Sequence, residues 1–413
     1  MNGEARPRLH AAAGLIVLAF IAFISLGLPD GLLGVAWPSI RQGFGLPLDA
    51  LGALLFAVNA GYLVSSFGSG YAIGRLGVGR LLALSCAATG ISLVGYTLVP
   101  SWWLLVTLGL LAGLGAGAID GGLNTFVAAH FGERLMQWLH ASWGVGISLG
   151  PFIMTTGLER FQSWRWGYVA VGTAQIALGA YFAFTASRWQ SPTRTPSPYA
   201  TNPAPLPTPI HEPAASFTAT LADPRVWMSL TLFLVYTGIE ATLGYWTYTL
   251  LTESRGISAH TAGFWTGGYW VTFTVGRILA GLFSQRLGGD ALIRTCLVGA
   301  TAGSALLAWN PTPGSSLAGV VILGFSIAPV FPGLVSGTRA RVGRRHEANT
   351  IGMQIGVASL GAALIPAVAG VLARRISIEV IPIFVVVLAV VVLALHALGT
   401  TRARFSDKKP SKS

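Results

Sequence analysis

The chain has 413 residues, of which 53% are hydrophobic and only 10% charged, and its mean hydropathy is +0.65. A soluble domain carries about 25% charged residues, so this composition excludes a soluble globular protein and implies a polytopic membrane protein. The net charge of +12 does not point to nucleic acid, because the basic residues fall in alternate loops and not in one patch.

Apolar windows of about 20 residues, the length that crosses a hydrocarbon core as a helix, predict spans near residues 12–40, 50–72, 79–99, 102–129, 136–158 and 167–187, then 224–251, 261–284, 291–309, 314–338, 348–372 and 378–399. The expectation is an all-α integral membrane protein of twelve transmembrane helices in two six-helix halves. The halves are residues 1–187 and 223–400, joined by a Pro-, Ser- and Thr-rich linker at 188–222 and followed by a basic tail at 401–413. With both termini cytoplasmic, 19 Lys and Arg lie on the inner side and six on the outer side, as the positive-inside rule requires.

The first span carries Asp30 beside Pro29, where it either caps a broken half-helix or serves as a functional acid. After the second span comes the Gly-rich basic turn GYAIGRLGVGRLLALS, and a weak echo, AGLFSQRLGGDALIRT, follows the eighth. Two halves with acids at nearly matching positions, Asp30 and Glu240, fit the internal repeats of secondary transporters, whose sites lie near the midplane. In the fourth span Gly109, Gly113, Gly117 and Gly121 recur every four residues, a small-residue face that lets membrane helices approach closely. Pro29, Pro38, Pro329, Pro332 and Pro366 are expected to interrupt their helices.

Three carboxylates lie deep in predicted spans: Asp30, Asp120 and Glu240. An acid at such depth costs about 2.5–3.5 kcal/mol on insertion scales and is the usual site of a proton relay. Asn124 follows Asp120 by one turn, on the same face. The pair is either structural or part of a ligand site. Glu240 lies one turn from Tyr236, with Tyr245 and Trp246 following, and is either structural, hydrogen-bonded to a helix neighbour, or functional. His140 reads as an interfacial histidine or a second protonatable group. Trp143, Tyr245 and Trp246 are candidate stacking surfaces for a solute, and Asn59 and Gln354 candidate hydrogen-bonding groups. Arg277, within the eighth span, reads as a snorkelling or gate-pairing cation before a solute ligand. No P-loop, zinc spacing or nucleophile elbow occurs, so no enzyme, ATP-driven pump, cofactor or metal is expected.

Twelve spans, a central linker and the turns GRLGVGR and SQRLGG together resemble the major facilitator superfamily. Within it, LGLPDGLLGVAWPS, GAIDGGLNTFVA, LHASWGVG and YTGIEATLGYWTYTLL look most like the fucose:proton symporter group. That resemblance implies a functional acid pair at Asp30 and Asp120, with Asn124 following Asp120 as in the group's pattern. The first turn lacks the acid usual in the family. The fourth-helix acid is Glu in the fucose carriers and Asp here, and their polar residues early in helix 5 are not matched by WLHASWG.

The expected function is proton-coupled symport of a small polar solute, a sugar in the first instance, by alternating access. Asp30, Asp120 and Glu240 would carry the proton. Asp30, Asp120, Asn124, His140, Trp143, Glu240, Trp246, Tyr245, Asn59 and Gln354 would meet the solute. The alternatives are a proton-driven antiporter exporting drugs or metabolites, and a non-transporting sensor or scaffold. The expected partners are the solute, protons and the lipid bilayer, with no nucleic acid, and the expected form is a monomer in a bacterial-type inner (plasma) membrane.

Overall fold

The computed structural model describes residues 5–131, 133–189, 215–287 and 289–406. The centre of the linker, residues 190–214, and the last residues of the basic tail, 407–413, lie outside the described residues, as does the placement of the Arg286 side chain. The first six long helices are α1 (Ala5–Phe44), α2 (Leu51–Leu76), α3 (Val78–Tyr96), α4 (Trp102–His130), α5 (Glu133–Phe161) and α6 (Arg165–Thr185). The second six are α7 (Pro224–Thr249), α8 (Ala259–Leu287), α9 (Gly289–Trp309), α10 (Pro313–Ile327), α11 (Glu347–Arg375) and α12 (Val380–Ser406). Ten of the twelve positions are long and apolar enough to cross a membrane by length and composition. The other two, α5 and α8, are 29 residues each but less apolar. Their polar residues Ser148, Thr155, Thr266 and Thr274 are buried, and the two helices pack against each other.

The two halves use the same pairing. In the first, α1 packs on α5, α2 on α4, and α3 on α4 and α6; in the second, α7 packs on α11, α8 on α10, and α9 on α10 and α12. Between the halves, α5 meets α8, α2 meets α11 and α1 meets α7. The weak repeat in the sequence is therefore a repeat of packing.

The prolines do not all act as their positions suggest. Only at Pro329 does a span break: α10 ends at Ile327 and a further helical piece, Val330–Ser336, begins one residue after the proline. By contrast α1 runs unbroken through Pro29 and Pro38, and α11 through Pro366. Pro29 has no N–H to offer the carbonyl of Ser25, four residues earlier. Gln175 of α6 supplies the donor, Nε2 to Ser25 O at 2.8 Å. Since the helix does not start at Asp30, that carboxylate is not a cap.

The end of the linker is structured. Phe217–Leu221 forms a short helix capped by Ser216, and Asn349 Nδ2 donates to the carbonyl of Ala215 at 2.9 Å. The chain thereby enters α7 already held against the first turn of α11.

The core shows which way the molecule opens. At the side away from the termini, one apolar cluster runs across both halves, from Trp37, Leu54 and Trp102 to Trp246, Ala369 and Ile381. Towards the termini the core divides. Phe23, Leu82 and Phe126 belong to a cluster of the first half. Phe233, Leu297 and Val392 belong to one of the second, joined by Ile147 of α5.

Candidate functional site

The crevice between the halves is closed at the far side, where one apolar core spans both, and lies where that core divides towards the termini. Two ion pairs cross it at the far side, Arg41 Nη2 with both carboxylate oxygens of Glu253 (2.7 and 2.8 Å) and Arg374 Nη1 with both oxygens of Asp49 (3.2 Å each), and His260 Nδ1 lies 3.6 Å from Glu159 beside them. Among the described residues no ion pair joins the halves at the terminus side. There Phe67 of α2, 77% exposed, nears α11 at Gly356.

The far-side pairs are partly exposed, so each is worth about 0.2–1 kcal/mol. Reversing one charge replaces attraction by repulsion. Arg41→Glu is expected to shift the population of the far-side-closed state by roughly 2- to 30-fold. Spin labels at the far ends of α1 and α7 should report a longer distance, and Arg41→Glu/Glu253→Arg should restore it. An unchanged distance distribution in the single variant would remove these pairs from the closure.

The acids line the crevice. Asp120, on α4, accepts from Tyr62 Oη of α2 at 2.7 Å and from Asn124 Nδ2 at 2.9 Å. The i, i+4 spacing therefore does bring Asn124 to Asp120. Tyr62 was not foreseen, because nothing in a single sequence pairs a residue of the second span with one of the fourth. Its clue was local: Asn59, Tyr62, Ser65, Ser66 and Ser69 make a polar stripe at helical spacing in α2. The remaining acceptor of the Asn124 amide, Oδ1, is buried without a partner.

Asp30 is half-buried on α1, and Trp143 of α5 is its neighbour. Close approach of these two helices depends on glycine: a Cβ at Gly27 would collide with the carbonyl of Trp143, and one at Gly31 with that of Ile147. Tyr62 lies within electrostatic reach of both Asp30 and Asp120, so the expected acid pair shares a neighbour. His140 packs edge-on against Phe23, with ring centroids 5.4 Å apart, and is exposed to the crevice within reach of Asp120 and Arg277.

From the other half, Glu240 of α7 accepts from Tyr236 Oη at 2.6 Å, while its backbone carbonyl accepts from Tyr269 Oη of α8 at 3.1 Å. Tyr245 is half-buried within electrostatic reach of Asp30 and Glu240. Trp143 meets Trp270 edge-on across the halves, centroids 6.3 Å apart. None of the three acids makes an ion pair among the described residues.

Two expected solute contacts are spent elsewhere, and a third is partly engaged. Trp246 is 1% exposed, and its Nε1 donates to the carbonyl of Pro366 at 3.0 Å, fixing α7 to α11. Gln354 is wholly buried, its amide shared between Ser229 (2.8 Å) and Thr338 (3.0 and 3.1 Å) inside the second half. Asn59 Nδ2 donates to Leu55 O of its own helix at 2.9 Å, which leaves Oδ1 as its remaining polar atom.

The family profile that matches is described as Major Facilitator Superfamily, over residues 15–256 and 228–413. The glucose/mannose transporter GlcP of Bacillus subtilis is 22% identical over 77% of this chain and 78% of its own length. The cis,cis-muconate transport protein of Acinetobacter baylyi is 24% identical over 91% of each chain. Among solved structures, a bacterial homolog of the human lysosomal transporter Spinster, in an inward-facing and occupied conformation, superposes with a TM-score of 0.72 at 15% identity, covering 97% of this chain and 99% of that one.

Proposed function

This chain belongs to the Major Facilitator Superfamily, and on that premise we propose that it is a proton-coupled symporter of a small polar solute, a sugar in the first instance. It is a multi-pass membrane transporter and not an enzyme. In the proposed cycle the halves rock about the crevice. The state described is closed by the far-side ion pairs and open towards the termini. With both termini cytoplasmic, in a bacterial-type inner membrane, that state faces inward, and the protein acts as a monomer.

The observation that carries the proposal is the company kept by Asp120. Its two hydrogen-bond donors, the Tyr62 hydroxyl and the Asn124 amide, are neutral, and no cation is paired with it among the described residues. A carboxylate held by a salt bridge stays ionised, whereas one held by neutral donors in an apolar surround can gain and lose a proton. Protonation removes the cost of moving an unpaired charge through a closed intermediate. Asp30 and Glu240 share this lack of an ion pair, and so extend the relay to both halves. Solute hydroxyls would find acceptors at Asn124 and Asn59 and aromatic faces at Trp143 and Tyr245. The resemblance to the fucose:proton symporter group, and the similarity to a glucose/mannose transporter, support a sugar.

The test is uptake into proteoliposomes. An inward proton gradient is expected to drive a labelled hexose above its equilibrium level, and a protonophore to abolish the excess. Hexose flux indifferent to the gradient would defeat the symport reading, and gradient-driven expulsion would mark antiport instead.

A further inference from the structure

Arg277 of α8 is a cation without a counter-ion. Among the described residues its guanidinium makes no hydrogen bond and no ion pair. Its Nε is buried without an acceptor, and its Cζ lies 4.4 Å from the centroid of the Phe273 ring. A snorkelling arginine near a helix end carries its whole head to water, which does not describe a sealed Nε over an aromatic ring.

The position faces the crevice. Arg277 follows Phe273 by four residues and Thr274 by three, so it shares their face, and Thr274 is where α8 meets α5. There Thr274 Oγ1 lies 3.3 Å from Ser148 Oγ and packs on Gly144. The guanidinium is within electrostatic reach of Glu240 and Tyr236 on α7, Tyr269 on α8 and His140 on α5. Yet Glu240 takes its side-chain hydrogen bond from Tyr236 and not from Arg277. The Arg277 side chain is half-buried with its Nε sealed, and a partly desolvated charge left unpaired is costly. A guanidinium has five donors in a planar fork that matches a carboxylate in two parallel hydrogen bonds.

We propose that Arg277 receives a carboxylate of the transported solute, which narrows the small polar solute of the proposed function to a hydroxylated organic anion of the sugar-acid class. The inference rests on the crevice being the solute site. The orphaned Oδ1 of Asn124 supplies an acceptor for a hydroxyl of the same molecule.

Equilibrium binding to the purified full-length protein tests it without reference to proton coupling. Calorimetric titrations with glucuronate, gluconate and glucose are expected to show one or both acids binding more tightly than glucose. Arg277→Gln should weaken acid binding about 30-fold or more, as loss of one member of a buried charge pair does, and leave glucose binding unchanged. Arg277→Lys keeps the charge without the fork and should fall between, and it gives the reading should the Gln variant not fold. Glucose binding as tightly as both acids, acid affinity unchanged in Arg277→Gln, or binding of neither acid would each overturn the assignment. Failure of the symport reading has a separate signature, since it appears as uptake indifferent to the proton gradient while acid binding still depends on Arg277.

Discussion

Asp120→Asn is expected to bind its solute and exchange it across the membrane, but not to accumulate it. The substitution keeps the shape of the protonated acid. The new carboxamide oxygen can accept from Tyr62 Oη, now 2.7 Å from Asp120, and its amide can donate to Asn124 Oδ1 once the Asn124 amide turns over. The flip moves the one unpartnered polar atom of Asn124 from Oδ1 to Nδ2 and adds no new one, so folding should survive. What disappears is the exchange between charged and neutral forms that allows a proton to be carried in and released. In proteoliposomes, counterflow should remain within a few-fold of the parent protein while gradient-driven accumulation falls to the equilibrium level. Full accumulation by the variant would end the coupling role of Asp120.

Much of this site was legible in the sequence, and the reasons differ by residue. Asp30, Asp120 and Glu240 stood out because a charge in an apolar window has few structural excuses, and all three line the crevice. Asn124 was legible because i, i+4 neighbours on a helix must meet. Tyr62, Arg41–Glu253 and Asp49–Arg374 were not, because their partners lie 58, 212 and 325 residues apart, and a single sequence does not say which helices adjoin. Trp246 and Gln354 were chosen on residue type alone. Neighbouring residues on a helix point about 100° apart, so when Tyr245 faces the crevice Trp246 turns into the α7–α11 seam. Gln354 had no periodic signal to separate an amide facing the crevice from one serving Ser229 and Thr338. The twelve spans were predictable to within a few residues from apolar runs, but the unbroken course of α1 through Pro29 depends on Gln175, about 150 residues away in sequence.

Gly113→Val is expected to cost the protein its folded state. The glycine row of α4 lies on α2, backbone against backbone. A Cβ at Gly113 would collide with the carbonyl oxygen of Val58, with the Val58 carbonyl carbon at 2.8 Å and the Tyr62 amide nitrogen at 3.0 Å. Neither helix can yield by rotating a side chain, because the obstacle is main chain. Overpacking a close contact costs about 1–3 kcal/mol where side chains can adjust. Here the α2–α4 pair must move apart along its length, and at Gly117 the same separation would draw Tyr62 away, since that glycine packs on the Tyr62 carbonyl and on Ser65 and Ser66. The expected result is loss of the monodisperse peak on size exclusion for Gly113→Val, with Gly113→Ala folded but melting at a clearly lower temperature. Gly68→Ala, at a glycine with nothing within 4 Å of an added Cβ, should melt with the parent. A Gly113→Ala protein with parental thermal stability would show that α2 and α4 do not pack this closely. The hydrogen bond from Tyr62 to Asp120 would then lose its structural basis, because it depends on the same approach of the two helices.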